Sequence, residues 1–335
     1  MHFSSALDRP KGKTYFLLWR AVFVAGLFLV LWSMYAASTS VDYIWRWNRV
    51  PQYFWYTEIK DIRASLEGEV RAVEARGATA TVIIVDPSGK EERHLVPAAT
   101  VRVRKGDFIS PGDTIGTESH GRPGLLLEGL WITLKVSALA IVGGIVLGLF
   151  TGLARISVNP ALRWSAVTYI EIIRGSPLLV QIFLWYFVVG TLVNQILTKW
   201  GFNPIDALWY GVVALAIFTG AYVAEIVRAG IQSVHRGQME AARSLGLTYA
   251  QAMRRVILPQ AMRRILPPLA GQFISLIKDS SLLGVISIRE LTKASREVVS
   301  SSLQPFEIWI VCAVLYLVLT FTLSLFVQYL ERKAI

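Results

Sequence analysis

The chain has 335 residues, of which 54% are hydrophobic and only 17% are charged, and its mean hydropathy is +0.49. A soluble chain of this length has a more polar composition, so these values indicate an integral membrane protein. The net charge of +11 does not indicate a nucleic-acid-binding protein, because the positive charge is concentrated in a few short segments. The single cysteine, Cys312, excludes an internal disulfide.

Long segments with few charges predict about six transmembrane helices, since about 20 apolar residues cross the hydrocarbon core. The fifth segment is the shortest and is interrupted by Pro267-Pro268 and by Lys278-Asp279. A cleaved signal peptide is the alternative for the first segment, but its polar lead and Arg20 disfavour that interpretation. The predicted spans are 15–37, 127–152, 165–192, 207–228, 264–286 and 306–330.

The distribution of basic residues predicts the orientation of these spans. The segment from Arg228 to Arg264 contains seven arginines and a single acidic residue, Glu240, whereas residues 59–122 carry ten basic and ten acidic side chains. Basic loops stay in the cytoplasm. We therefore expect both termini and the 228–264 loop to be cytoplasmic, with residues 38–126 on the outer side.

A change in composition divides the chain into three predicted regions. Residues 1–57 comprise a cytoplasmic lead, the first transmembrane helix and an aromatic segment typical of the membrane interface. Residues 58–122 show alternating apolar runs separated by turn signals, and predict a small extracytoplasmic β domain. Residues 123–335 are the remaining membrane core. The predicted strands are Glu69 to Ala75, Ala78 to Asp86, Arg93 to Pro97 and Thr100 to Val103.

Two short segments of the β domain, Lys105 to Ile109 and Pro111 to Ile115, resemble the hairpins of lipoyl- or biotinyl-type barrels. No lysine occupies the turn position that those barrels modify, so no prosthetic group is expected. A structural or partner-contacting role is the simpler interpretation of this domain.

The polar loop 229–264 lies between two long apolar segments and predicts two short helices joined by a tight turn. Residues 238–245 are good helix formers, and Gly246 permits a turn that a β-carbon would obstruct. Thr248 is suited to cap a second helix that runs to Leu258, and Pro259 ends or kinks it. Glu240 is suited either to pair with a cation on a partner protein or to cap the helix N-terminus.

A basic helix held on anionic lipid would explain the arginines of this loop, but not the spacing of its other residues. Glu240-Ala241-Ala242 is followed after three residues by Gly246, and after nine more by Val256-Ile257-Leu258-Pro259. This spacing resembles the signature loop of the permease subunits of type I ATP-binding-cassette (ABC) importers. Further segments of the chain resemble the histidine, glutamate, glutamine and arginine class of these permeases: 127–135, 173–181, 221–234 and 272–283.

The resemblance covers about residues 124–332 and implies a subunit of an ATP-driven importer for a polar amino acid, in a bacterial cytoplasmic (inner) membrane. It implies three kinds of partner: an ABC ATPase dimer, a second permease subunit that is identical or paralogous, and an extracytoplasmic amino-acid-binding protein. The residues that it assigns to ATPase coupling are Glu240, Ala241, Ala242, Gly246, Leu258 and Pro259. The first span and the β domain depart from the usual plan of this class.

The chain itself is not expected to be an enzyme. Gly12-Lys13-Thr14 lacks the earlier glycine of a phosphate-binding loop, because Leu7 stands at that position. The four histidines are scattered without metal-ligand spacing. We therefore expect no cofactor on this chain, with ATP and Mg²⁺ bound by the partner ATPase.

Charged and polar residues inside membrane spans are costly and mark function or tight pairing. Glu171 and Arg174, and likewise Glu225 and Arg228, are three residues apart and so are expected to pair. Both structural pairing or gating and contact with substrate remain open for these residues. The predicted translocation-pathway residues are Arg174, Ser176, Pro177, Gln181, Glu225, Lys278, Asp279, Ser280 and Ser281.

Two other functions remain as alternatives at this stage. The first is a stand-alone secondary transporter or channel, which would need no ATPase. The second is a membrane-anchored sensor that functions through its β domain, although one span would suffice as an anchor.

Overall fold

A computed structural model describes residues 13–334, which form two units, residues up to Trp47 and residues from Asn48 onward. The described part of the first unit is dominated by helix α1 (Lys13–Ser40), whose apolar side chains are exposed along its length. After this helix, the Trp45 indole donates a hydrogen bond to the Ser38 hydroxyl at 3.0 Å and stacks on Trp47 at 5.7 Å. An apolar helix whose described side chains are mostly exposed is suited to contact lipid.

The second unit begins with six strands that form two antiparallel sheets. Strands β1 (Trp55–Arg63) and β6 (Thr114–Pro123) make a two-stranded ribbon. A four-stranded sheet has the order β4-β3-β2-β5. Its core contains Val70, Val82, Ile84 and Val96, which Ile115 of the ribbon joins. The strands of this sheet are β2 (Gly68–Arg76), β3 (Thr79–Val85), β4 (Glu91–Pro97) and β5 (Phe108–Ile109).

Three predicted strands are confirmed as β2, β3 and β4, and the fourth is wrong. Thr100 ends a short 3-10 turn (Ala98–Thr100), Val101 after it is extended, and residues 101–103 belong to no strand. Their only backbone bond to the ribbon joins the Arg102 amide to the Ile115 carbonyl at 2.9 Å. Val101 and Val103 still pack against the core, which explains their alternation in the sequence.

The rest of the unit is helical, and together with α1 it gives six described helices long and apolar enough to span a membrane. Five of these spans follow the β region: Leu125–Arg155, Leu178–Lys199, Ala207–Gln232, Tyr249–Ile286 and Pro305–Tyr329. Helix α2 (Leu125–Arg155), α6 (Ala207–Gln232) and α11 (Pro305–Ala334) are uninterrupted. The shorter helices are α3 (Pro160–Gly175), α4 (Leu178–Phe183), α5 (Thr191–Lys199), α7 (Arg236–Ser244), α8 (Tyr249–Ala252), α9 (Leu258–Asp279) and α10 (Leu291–Ser302).

The predicted third span, 165–192, is wrong in its limits. Helix α3 ends at Gly175, Ser176 is extended, and a new helix begins after Pro177. The proline has no amide hydrogen to continue α3, and it disfavours a helical conformation at Ser176. A π-helical turn (Leu184–Gly190) connects α4 to α5, so the span runs from 178 to 199.

Helices α2 and α6 are parallel and pack closely through a row of glycines on α2. A β-carbon at Gly144 would lie 2.8 Å from Thr219, and one at Gly152 would lie 2.8 Å from the Ala224 carbonyl oxygen. Small residues four apart let two helix backbones approach, which is how helices associate in a membrane. The next span crosses α6 in the opposite direction, since Gly230 contacts Ile265 while Gly211 contacts Leu283.

Helix α10 covers one end of this bundle and begins with a buried carboxylate. Glu290 is fully buried and accepts hydrogen bonds from the backbone amides of Thr292 and Lys293, both at 2.7 Å. The Tyr316 hydroxyl of α11 donates a third hydrogen bond at 3.0 Å. Burial raises the pKa of the Glu290 carboxyl above its usual value.

Candidate functional site

The loop between α6 and α9 forms the first predicted short helix as α7, whereas the second predicted helix begins at Tyr249 as α8 and continues through a π-helical turn into α9. Only three residues separate α6 from α7, and the middle one, Val234, is buried. The His235 Nδ1 atom accepts a hydrogen bond from the Gly237 amide at 3.1 Å and thereby caps α7. Glu240 therefore does not cap this helix, and its side chain is exposed.

The turn after α7 depends on Gly246. This residue has a φ of +83°, a conformation that strains any residue with a β-carbon. Thr248 then caps α8, as predicted: its hydroxyl accepts from the Gln251 amide at 3.3 Å, and the Gln251 side chain accepts from the Thr248 amide at 2.9 Å. This reciprocal pair is a capping box, and it fixes where α8 begins.

The two alanines of the motif face opposite directions. Ala242 is buried, and Met239 on the same helix packs against a cluster that includes Val227 and Ile231 of α6. Ala241, like Glu240, is exposed. Residues 240 and 241 therefore lie on the free surface of the loop, while residue 242 anchors it.

Two apolar side chains extend from the same loop into free space. Leu245 is 84% exposed and Tyr249 is 58% exposed, on either side of the Gly246 turn. The sequence reasoning did not select them, although a leucine before the motif glycine in a basic loop was a usable signal. Exposed apolar side chains surrounded by polar residues are typical of a protein-binding surface.

Leu258 and Pro259 occupy a different environment from the turn. Leu258 packs against the buried cluster at the end of α6, and Pro259 is exposed in the first turn of α9. Of the two predicted outcomes at Pro259, an end of the helix is wrong, whereas a kink there stays a prediction. A π-helical turn (Met253–Ile257) precedes it, so the helix continues without a clash between the proline ring and the preceding turn.

Four charged residues form a cluster where α2, α3 and α6 meet, and we call Arg155, Arg174, Glu225 and Arg228 the Glu225 cluster. Arg155 donates to one oxygen of Glu225, and Arg228 donates to the other at 2.8 and 3.1 Å. Arg174 lies 4.0 Å from the same carboxylate. The predicted pairing of Glu225 with Arg228 is confirmed.

Glu171 occupies the rim of this cluster. Its carboxylate lies 4.0 Å from Arg155, and its side chain is 66% exposed. The ion pair that the described contacts give to Glu171 is therefore with Arg155 and not with Arg174, as the sequence spacing had predicted. Arg174 instead places its guanidinium over the Tyr222 ring, 5.2 Å from the ring centre.

The break between α3 and α4 is connected by Gln181. Its amide nitrogen donates to the Ile173 carbonyl at 2.7 Å and to the Ser176 hydroxyl at 2.8 Å. Gln181 is only 4% exposed, and its amide oxygen has no hydrogen-bond partner among the described residues. Ser176, Pro177 and Gln181 thus lie together at this break.

The remaining pathway candidates lie elsewhere. Lys278 is exposed, Asp279 and Ser281 are partly buried, and the buried Ser280 hydroxyl donates to the Ile277 carbonyl at 2.7 Å. The antiparallel packing of α6 and α9 places Lys278 about eight residues, roughly 12 Å, from the level of Glu225 along the bundle. The structure therefore divides the predicted translocation residues into two groups.

The described residues contain no group of three or more histidine, cysteine, aspartate or glutamate side chains that could hold a metal ion. The same part of the chain contains one cysteine, Cys312, which is buried.

Residues 144–335 match the model of a family described as "Binding-protein-dependent transport system inner membrane component". The probable glutamine ABC transporter permease protein GlnM of Bacillus subtilis is 46% identical over 209 residues, 62% of this chain and 93% of that protein. The glutamine transport system permease protein GlnP of Escherichia coli K12 is 41% identical over 209 residues, 62% of this chain and 92% of that protein.

Solved structures agree with these relatives. The crystal structure of an amino acid ABC transporter with histidines contains a chain that is 45% identical, with a TM-score of 0.55, over 62% of this chain and 94% of that one. An inward-facing structure of the MetNI methionine ABC transporter matches at 21% identity and a TM-score of 0.54, over 63% of this chain and 96% of that one, which supports the fold alone. This chain therefore belongs to the family of inner membrane components of binding-protein-dependent transport systems.

Proposed function

We propose that this chain is the membrane-spanning permease subunit of an ATP-driven importer for a polar amino acid. The observation that carries the proposal is the exposed loop around Gly246, with the spacing of an ATPase-coupling loop on a chain of the binding-protein-dependent family. Glutamine is the first substrate to test, because the relatives GlnM and GlnP are named for it. Family membership disfavours the stand-alone secondary transporter.

The partners in this proposal follow from the loop and the family. An ABC ATPase dimer binds ATP and Mg²⁺ and contacts this loop on the cytoplasmic side. A second permease subunit, identical or paralogous, completes the pore, and an extracytoplasmic binding protein delivers the amino acid. The chain contributes no catalytic group of its own.

The orientation in this proposal rests on charge. The basic loop from Arg228 to Arg264 faces the cytoplasm of a bacterial inner membrane, with both termini on the same side. The β region between α1 and α2 then lies on the outer side, where its equal numbers of acidic and basic residues over 59–122 are permitted. Three residue groups line the pathway or its gate: residues 176–181, the Glu225 cluster and residues 278–281.

The test is purification of the tagged protein from native membranes in mild detergent, with its partners identified and counted. Gly246→Asp should remove an ATPase that co-purifies with the wild type, because a charged side chain in a strained conformation disturbs the turn. Gly112→Asp is the matched control, since Gly112 also has a positive φ, +98°, with open space around it, but lies in the β region. If no ATPase accompanies the wild type, the proposal fails.

A further inference from the structure

Glu225 joins three helices through a single carboxylate. Arg155 is the last residue of α2, Arg174 lies in the last turn of α3, and Glu225 and Arg228 lie on α6. Its side chain is 16% exposed, so these contacts are shielded from much of the solvent. Removal of this carboxylate would leave three guanidinium groups close to one another. Among the described ion pairs, the other carboxylate that contacts one of them is the exposed Glu171.

The Glu225 carboxylate is connected through α6 to the loop 229–264, which we call the coupling loop. Helix α6 continues from Glu225 to Gln232, and α7 begins at Arg236. Arg228 also donates to the Gln232 side chain at 2.5 Å, which extends the polar contacts to the end of the helix. A displacement of α7 is therefore expected to move Glu225 as well, because the connection between them is short and mostly helical.

On the other side, the carboxylate is connected to the break in the third span. Arg174 lies two residues before Ser176, where α3 ends, and is held over Tyr222 of α6. The break itself leaves the buried Gln181 amide oxygen without a described partner. An unpaired buried acceptor costs free energy, so a second arrangement of this break has a hydrogen bond to gain.

We infer that Glu225 is the positioning residue that transmits movement of the coupling loop to the Ser176-Pro177 break. The inference rests on the proposed function and adds a residue and a route to it. When the ATPases move α7, α6 shifts with it, and the bonds from Glu225 to Arg155 and Arg174 carry α2 and α3 along. The pathway beside residues 176–181 then opens or closes in step with ATP hydrolysis.

The experiment measures coupling, not activity alone. The complete complex with its ATPase and binding protein is placed in liposomes, and amino-acid uptake and ATP hydrolysis are measured on the same sample. Glu225→Gln keeps the size of the side chain and removes the charge, and should lower uptake per ATP hydrolysed about tenfold in an assembled complex. Glu225→Asp keeps the charge and should recover part of the ratio.

Glu297→Gln is the matched control, because it removes the same charge from a glutamate of α10 that is paired with Arg289 at 2.8 Å, outside the proposed route, and its uptake per ATP should equal the wild-type value. An unchanged ratio in assembled Glu225→Gln would overturn the inference. If Glu225→Gln does not assemble, Arg174→Gln replaces it in the test, because the arginine is 41% exposed and its substitution should leave assembly intact. The inference then fails if uptake per ATP hydrolysed is unchanged in Arg174→Gln. Absence of ATP-driven uptake by the wild type would instead overturn the proposed function.

Discussion

Gly148 of α2 lies against Val223 of α6 so closely that a β-carbon on the glycine would come within 2.5 Å of the valine Cβ. The neighbouring Gly220 carbonyl oxygen would be 2.7 Å away, so neither a rotamer change nor a small shift of one side chain makes room. This contact sets the separation of the two parallel helices, and α6 carries both Glu225 and the coupling loop.

We therefore expect Gly148→Leu to separate α2 from α6 and to destabilise the protein by about 1–3 kcal/mol or more, as overpacking does. Thermal unfolding in detergent can be followed by the reaction of the single buried cysteine, Cys312, with a fluorescent maleimide. Gly271→Leu on α9 is the control, because a β-carbon there would have nothing within 4 Å. Equal melting temperatures for Gly148→Leu and the wild type would show that this contact is not limiting.

A second prediction concerns the exposed face of the coupling loop. Leu245→Ser should weaken ATPase binding about tenfold or more, because burial of a leucine contributes roughly 1.5–3 kcal/mol. The free energy of unfolding of this variant should equal that of the wild type, since the Leu245 side chain is 84% exposed. The measurement is the fraction of permease that retains its ATPase over a dilution series. Val158→Ser, at a fully exposed valine between α2 and α3, is the control.

Equal weakening by Leu245→Ser and Val158→Ser would mean that the ATPase does not recognise the Gly246 turn specifically. Retention of the ATPase by both variants would exclude Leu245 from the interface. Leu245→Met, which keeps an apolar side chain of similar volume, should bind like the wild type.

Local signals predicted helix α7, the Gly246 turn and the Thr248 cap of the loop 229–264. Gly246, Thr248 and the helix before them depend on conformational preferences of neighbouring residues, which the sequence displays directly. The spans were also predictable, because their apolar composition is a property of each segment. The break at Ser176-Pro177 was visible in the sequence, but the apolar residues around it favoured one continuous span.

The Glu225 cluster was predictable only in part. Arg228 is three residues from Glu225, whereas Arg155 is separated from it by 70 positions and depends on the packing of α2 against α6. That packing had its own sequence signal, three glycines at intervals of four, at 144, 148 and 152, which was not used. The ribbon strand β6 was missed because both of its faces are exposed over 119–123, so its sequence does not alternate.

A third prediction concerns the buried carboxylate at the start of α10. Glu290→Ala should lower the free energy of unfolding by about 1–3 kcal/mol, because the two amides and the Tyr316 hydroxyl lose their acceptor inside the protein. The control is Asp206→Ala, which removes the cap of α6, where the side chain accepts from Leu208 at 2.8 Å but is exposed to solvent. Asp206→Ala should lower the free energy of unfolding by less than half as much as Glu290→Ala, measured by the same reaction of Cys312. Equal costs for the two variants would mean that burial adds nothing to this cap.

The same carboxylate predicts a specific pH dependence. Burial raises the pKa of Glu290 above its ordinary value of 4.5, so the folded protein keeps a proton in a pH range where the unfolded chain has lost it. In that range the folded state binds more protons, and the free energy of unfolding therefore falls as pH rises. The difference in stability between the wild type and Glu290→Ala should accordingly be largest near pH 4.5 and shrink toward neutral pH. A difference that is constant with pH would show that Glu290 titrates alike in both states, and one that grows with pH would mean that its hydrogen bonds outweigh its burial.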